Sequence, residues 1–348
     1  MTAYAQSVTG RVSAAALGST LMHEHVLSDL RDPKTRDDYV AWPEITWENR
    51  FQIDYFSNSH QPNMLLDDDA VAARELALYR EAGGGTIVEL TVGGLRPQPE
   101  RLRVLSKASG VNVVLGAGFY VDSYLPETIR NADVDELEML ILSQLREGAW
   151  GTDIRAGLIG EIGCSWPLLP SERRMLIASA RAQAKTGAAI TIHPGRHPDA
   201  PAEIGDVLTD AGADPSRTVI GHMDRTIFDV ERLIALLDRG FVLEWDFFGI
   251  ETSQYWMKGI DLDLPTDKMR LDLINSLMAK GYGKQIAISH DICTRTRLCS
   301  YGGHGYRHLL INIVPMLLRH GWQDEEIEQL LIETPARLLC YITEGDQG

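Results

Sequence analysis

The chain alternates between short, nearly unbroken apolar runs and longer stretches in which apolar positions recur every three or four residues. Eight short runs stand out: Thr20–Leu27 (TLMHEHVL), GTIVELT from Gly85, VNVVLGAGFY from Val111, AGLIGEIGC from Ala156, AAITIHP from Ala188, RTVIGHMD from Arg217, FVLEWDFFG from Phe241 and QIAISHDI from Gln285. Runs this short and this apolar on both faces predict strands of a parallel sheet covered on both sides. The stretches between them carry helix punctuation. DDDAVAARELALYREAGGG has an acidic first turn, an apolar stripe and glycines at its end. SERRMLIASARAQAKTGAA opens on Ser171, a capping residue type, and stops at Gly187, and DVERLIALLDRG stops at Gly240.

Strand–helix alternation repeated eight times predicts an α/β fold, a (β/α)8 TIM barrel in preference to an open doubly wound sheet. The G-x-G at Gly116–Gly118 lacks a third glycine, so a dinucleotide site is not indicated. The 348 residues are read as one barrel domain over 1–348. A long insertion at about residues 30–66, rich in aromatics, Pro and Asn, follows the first strand. That position puts it on the side where barrel active sites are built, either covering the site or packed on the rim.

Charge and cysteine content narrow the function classes. A net charge of −16 repels phosphate backbones and excludes a nucleic-acid role. Cys164, Cys293, Cys299 and Cys340 form no C-x-x-C pair, which predicts reduced thiols and a cytoplasmic protein. The N-terminus has no basic segment followed by an apolar core, and no apolar run is long enough to span a membrane. Trp42 and Trp47 in the insertion offer a surface for a homodimer.

The strand ends carry the chemistry. His23 and His25, two apart on a strand, face one side together. Glu161 lies in the fourth run, His193 ends the fifth, His222 ends the sixth, and His290 and Asp291 close the eighth. Polar groups in apolar runs are costly unless paired or ligated. In a closed barrel His23, His25, Glu161, His193, His222 and Asp291 converge. Four imidazoles and two carboxylates exceed the needs of one tetrahedral ion and fit two divalent ions sharing a carboxylate. Zinc is the first expectation, with manganese, iron or cobalt served by the same ligand types. Such a centre holds a hydroxide available at neutral pH, because a metal lowers the pKa of bound water to about 7.

The stretches GRVSAAALGSTLMHEHV, GAGFYVD, GLIGEIGCSWPL, TIHPGR, GHMDRT and SHDICTRTRLCSYGGHGYRH resemble the phosphotriesterase-related branch of the amidohydrolase superfamily. The resemblance runs from about residue 9 to 340. It implies that His23 and His25 bind a more buried ion and His193 and His222 a more exposed one. Asp291 would bind the buried ion and accept a proton. Glu161 stands where lysine-bridged relatives carry a carbamylated lysine, so its bridge needs no carbon dioxide. Tyr120 matches a tyrosine lining the metal pocket of related lactonases.

Substrate choice falls to residues just past the strands. Arg196 and Arg225 each follow a histidine by three positions, and Arg295 and Arg297 follow Asp291. Guanidinium groups bind carboxylates and sulfonates in a bidentate way. His304, in YGGHGYRH, is a further candidate contact. With the resemblance, these residues imply a bridging hydroxide attacking the amide of a small anionic N-acyl compound, of the N-acetyltaurine or N-acyl amino acid type. The alternatives are a lactonase or other carboxylic ester hydrolase with incidental phosphotriesterase activity, and, from another class, an inactive barrel acting as a binding protein.

Overall fold

A computed structural model describes residues 3–257 and 260–341. The eight runs form one parallel sheet in sequence order. Its strands are β1 (Ser19–Glu24), β2 (Gly84–Glu89), β3 (Asn112–Ala117), β4 (Leu158–Gly163), β5 (Ile190–His193), β6 (Thr218–Ile220), β7 (Val242–Trp245) and β8 (Ile286–Ile288). The end strands meet through polar contacts. The Ser289 hydroxyl donates to the His23 carbonyl at 2.8 Å and accepts from the His23 amide at 3.1 Å, and the Asp291 amide donates to the same carbonyl at 3.0 Å. The barrel is thus closed at the strand ends that carry His23 and Asp291.

Helices cover the outside, among them Asp69–Glu81, Pro99–Ser109, Val134–Arg146, Pro170–Thr186, Val230–Asp238 and Asp267–Met278. Asp68 caps the first, its carboxylate accepting from the Ala70 and Val71 amides at 2.9 and 3.1 Å. The helix predicted from Ser171 begins one residue earlier. Pro170, whose fixed φ suits a first helical position, starts it, and the Glu172 carboxylate accepts from the Leu169 amide at 3.1 Å. Ser171 instead donates its hydroxyl to Asp122 at 2.7 Å. Gly187 ends this helix in the left-handed region, at φ 74°.

Met22, Val88, Val114, Leu158, Ala189, Val219, Val242 and Ala287, one from each strand region, form a buried cluster that fills the barrel. Leu338 and Leu339 from the C-terminal helix Thr334–Leu339 join the same cluster. The polar strand-end residues sit in the layer above. No helix among the described residues is long and apolar enough to cross a membrane.

The insertion carries structure of its own: a strand pair of Ser28–Asp29 with Leu65–Leu66, and a helix at Arg50–Tyr55. Arg50 donates to the carbonyls of Tyr301 and Thr296 at 2.8 and 2.7 Å, which ties the insertion to the loop after β8. A hairpin of Gln254–Met257 with Ile260–Asp263, not foreseen in the sequence, follows β7.

Candidate metal centre and substrate chamber

The six strand-end residues meet at Glu161, which is 1% exposed. One of its oxygens, Oε1, faces His193 Nδ1 in close contact and His222 Nε2 at 3.3 Å. The other, Oε2, faces His23 Nε2 at 3.4 Å and His25 Nε2 at 3.8 Å. Asp291 Oδ1 lies 3.3 Å from His25 Nε2 and 3.7 Å from His23 Nε2. Three groups of three among the described residues, His23–Glu161–His222, His23–His25–Asp291 and His23–Glu244–Asp246, each have ligand atoms close enough to share one ion, the first two of them built from these residues. His23 Nε2 and Glu161 Oε2 are buried without a hydrogen-bond partner. These orphaned ligand-type atoms, 3.4 Å apart, fit a divalent ion on the Oε2 side of Glu161, and the His193 and His222 rings bring further ligand nitrogens to its Oε1.

Outer contacts fix which ring nitrogen faces the centre. His25 Nδ1 pairs with the Thr91 hydroxyl at 2.9 Å, and His222 Nδ1 donates to Asp246 Oδ1 at 2.8 Å, so both present Nε2 inward. Two of the six converging residues adopt the left-handed backbone region, His222 at φ 57° and Asp291 at φ 51°. Such strain persists where surroundings over-determine it. At Asp291 the β1 carbonyl and Arg297, which donates to the Asp291 carbonyl, hold it. His290, on the same strand end, turns away and pairs with Glu24 at 2.7 Å.

The cluster's charges depend on one another. Burial disfavours a charged ring at His23, yet Glu161, Asp246 and Glu244 outweigh it and hold its pKa well above the ordinary value. His25, beside Asp291, and His222, beside Asp246, are raised against burial in the same way. Burial would raise Glu161, but His193 and His23 hold it well below the carboxylate range. Without ions, then, protons balance the carboxylates. Ions must displace those protons, so metal affinity falls as pH falls, and loading a stripped protein at neutral pH should release protons into a weak buffer. Loading with no pH change would show the rings already neutral.

Two cavities reach Asp291. The larger, about 530 Å³, is lined by His25, Glu161, His193, Tyr120, Arg196 and Arg225 among others. Arg31, Asn58 and Gln61 from the insertion contribute to its wall. The smaller, about 150 Å³, is lined by Ile250, Cys293, Thr294, Arg297 and His304 among others. Tyr120 lies with its hydroxyl 3.5 Å from His193 Nδ1.

The four arginines separate. Arg196 and Arg225 face the larger cavity. Arg297 spends its donors on the carbonyls of Asp291, His290 and Phe248 and on His304, so it braces the loop. Arg295 donates to the Leu65 carbonyl at 2.7 Å and lines neither cavity. His304 borders only the smaller cavity, its ring lying where a Cβ on Gly249 would be 2.6 Å away. Sequence reasoning missed Glu244 and Asp246. Their two-residue spacing on β7 repeats that of His23 and His25 and was the available signal.

The profile of the Phosphotriesterase family matches residues 3–339. The chain belongs to the phosphotriesterase family. Within that family, it is 43% identical over 341 residues to an N-acetyltaurine hydrolase of Salmo salar, covering 97% of each chain. A resiniferatoxin-binding protein from Rhodobacter sphaeroides superposes with a TM-score of 0.90 at 34% identity, over 97% of this chain and 94% of that one. An organophosphorus hydrolase from Deinococcus radiodurans gives 0.77 at 29% identity, over 97% and 96%. Phosphotriesterase-family membership and the two ligand clusters make this chain a metal-dependent hydrolase.

Proposed function

We propose that this hydrolase cleaves the amide of a small anionic N-acyl compound, of the N-acetyltaurine or N-acyl amino acid class, with two zinc ions as cofactor, in the cytoplasm. The observation that carries the substrate class is the pair Arg196 and Arg225. Arg225 is 1% exposed, and burial with Arg196 nearby lowers its pKa to about 10. Neither guanidinium forms an ion pair among the described residues: Arg225 meets the Pro194 carbonyl at 3.2 Å and His193 Nε2 at 3.1 Å, Arg196 meets the Tyr255 hydroxyl at 3.4 Å, and the Nε of each is buried without a partner. A buried and a half-buried cation side by side without counter-ions make a receptor for an anion. A neutral lactone or phosphotriester offers them acceptor oxygens but no charge to balance theirs. The 43% identical relative is named for N-acetyltaurine, whose sulfonate is such an anion.

In this reading His23, His25 and Asp291 hold one ion, His193 and His222 the other, and Glu161 spans them. When bound, the ions acidify a water and polarise the substrate oxygen. Arg196 and Arg225 orient the substrate by its anionic end. The smaller cavity takes a short acyl group beside Ile250 and Thr294. Asp291, whose side chain is 12% exposed and borders both cavities, takes the proton from the attacking water at a carboxylate oxygen and delivers it to the leaving nitrogen. Tyr120 and the insertion limit the access of bulk water.

A panel of N-acetyltaurine, N-acetyl amino acids, lactones and phosphotriesters, assayed with zinc-loaded protein, tests this. Anionic amides should give the highest kcat/KM. Arg225→Met should raise KM for them by roughly 10- to 100-fold, the scale of a charged hydrogen bond, and affect neutral esters less, through the lost contact to His193 Nε2 alone. A lactone turned over best, insensitive to Arg225→Met, would move the assignment to a lactonase.

A further inference from the structure

Strand β7 places Glu244 beneath the centre. Glu244 is fully enclosed, and both its carboxylate oxygens lack a hydrogen-bond partner. Its Oε2 lies 3.6 Å from His23 Nδ1, whose other neighbour is Asp246 Oδ2 at 3.2 Å. Asp246 is already engaged by His222, its Oδ1 by the ring and its Oδ2 by the backbone amide at 2.9 Å. Gly221 keeps this space open, since a Cβ there would come within 2.9 Å of Asp246 Oδ2 and 3.5 Å of His23 Nδ1. An ionised carboxylate in an apolar interior is strongly unfavourable unless something repays its desolvation. Its neighbours on the sheet include Ala287, in register on β8, and Val242, two positions earlier on β7.

We propose that Glu244 is a positioning residue for the metal centre. Facing His23 Nδ1 at 3.6 Å beside Asp246 Oδ2 at 3.2 Å, it backs the ring from the side opposite the ion and helps keep Nε2 toward the ion shared with His25 and Asp291. His222 has Asp246 for this service, and His23 has Asp246 and Glu244 together. Outer carboxylates of this kind fix the ring and raise its basicity as a ligand. Glu244 is therefore kept for the ion at the expense of the metal-free fold. The inference rests on the reading of His23 as a metal ligand.

The test uses full-length protein carrying Glu244→Gln or Glu244→Met. Zinc content is followed by chelator competition, and unfolding temperature is measured on stripped protein. One of the two ions should be lost at chelator concentrations roughly 10- to 100-fold lower than from the wild type, more so for Met than for Gln, with the second ion less affected. The stripped Glu244→Met protein should unfold at the same temperature as stripped wild type or higher. Unchanged zinc affinity in either variant would overturn the proposal. So would a stripped Glu244→Met protein that is less stable or fails to fold, because Glu244 would then be a structural strut. Wild-type protein that binds no zinc would instead sink the function itself.

Discussion

Asp291→Asn should lower kcat by roughly 10²- to 10⁴-fold, the range assigned to a lost general base or acid, in protein that still binds metal. Among the six converging residues Asp291 alone borders both cavities. Glu161 is nearly inaccessible and has an oxygen turned to each imidazole pair, which leaves it no proton to carry. Asn preserves the volume and one oxygen facing His25, and its side chain tolerates the left-handed backbone required at φ 51°. Folding should be little affected. The measurement is kcat alongside zinc content per chain. Near-normal turnover at full zinc would remove Asp291 from the proton path. Loss of one zinc with turnover falling in proportion would make it a ligand only.

The sequence was most readable where physical cost forces a pattern. Eight apolar runs had to be strands because their backbones are buried on both faces, and all eight are found in order. His23, Glu161, His193, His222 and Asp291 could be picked out because a polar group in such a run needs a strong reason. What lay beyond the strands was less readable. Arg295 and Arg297 share the loop position that marked them as anion contacts, but loop backbone leaves carbonyls without partners, and both side chains satisfy those first. Arg225 likewise donates to the Pro194 carbonyl, and what sets it and Arg196 apart is that both line the larger cavity, which no spacing rule encodes. The left-handed turns at His222 and Asp291 were equally hidden, since neither is a glycine. The place of residues 30–66 in the cavity wall depends on Arg50 reaching Tyr301 and Thr296, more than 240 positions away in the chain.

Glu161→Gln should reduce bound zinc from two ions to one or none, with activity falling by roughly 10³-fold or more. Donor type is the reason. Glu161 offers an acceptor oxygen to His193 and His222 on one side and another to His23 and His25 on the other. Its charge is held in place by the flanking rings against a burial that would otherwise neutralise it. Gln has nearly the same shape and presents one oxygen and one NH₂ group. Whichever way the amide turns, one imidazole pair faces hydrogen atoms where an ion belongs, and the centre loses a negative charge. Glu161→Asp separates reach from charge, since it keeps both oxygens on a shorter stem. It should retain more zinc than Glu161→Gln yet less than wild type. Metal analysis of the three proteins, purified and reloaded identically, gives the order directly. If Glu161→Gln holds two zinc ions as tightly as wild type, no carboxylate bridge exists and the ions are held by the imidazoles and Asp291 alone.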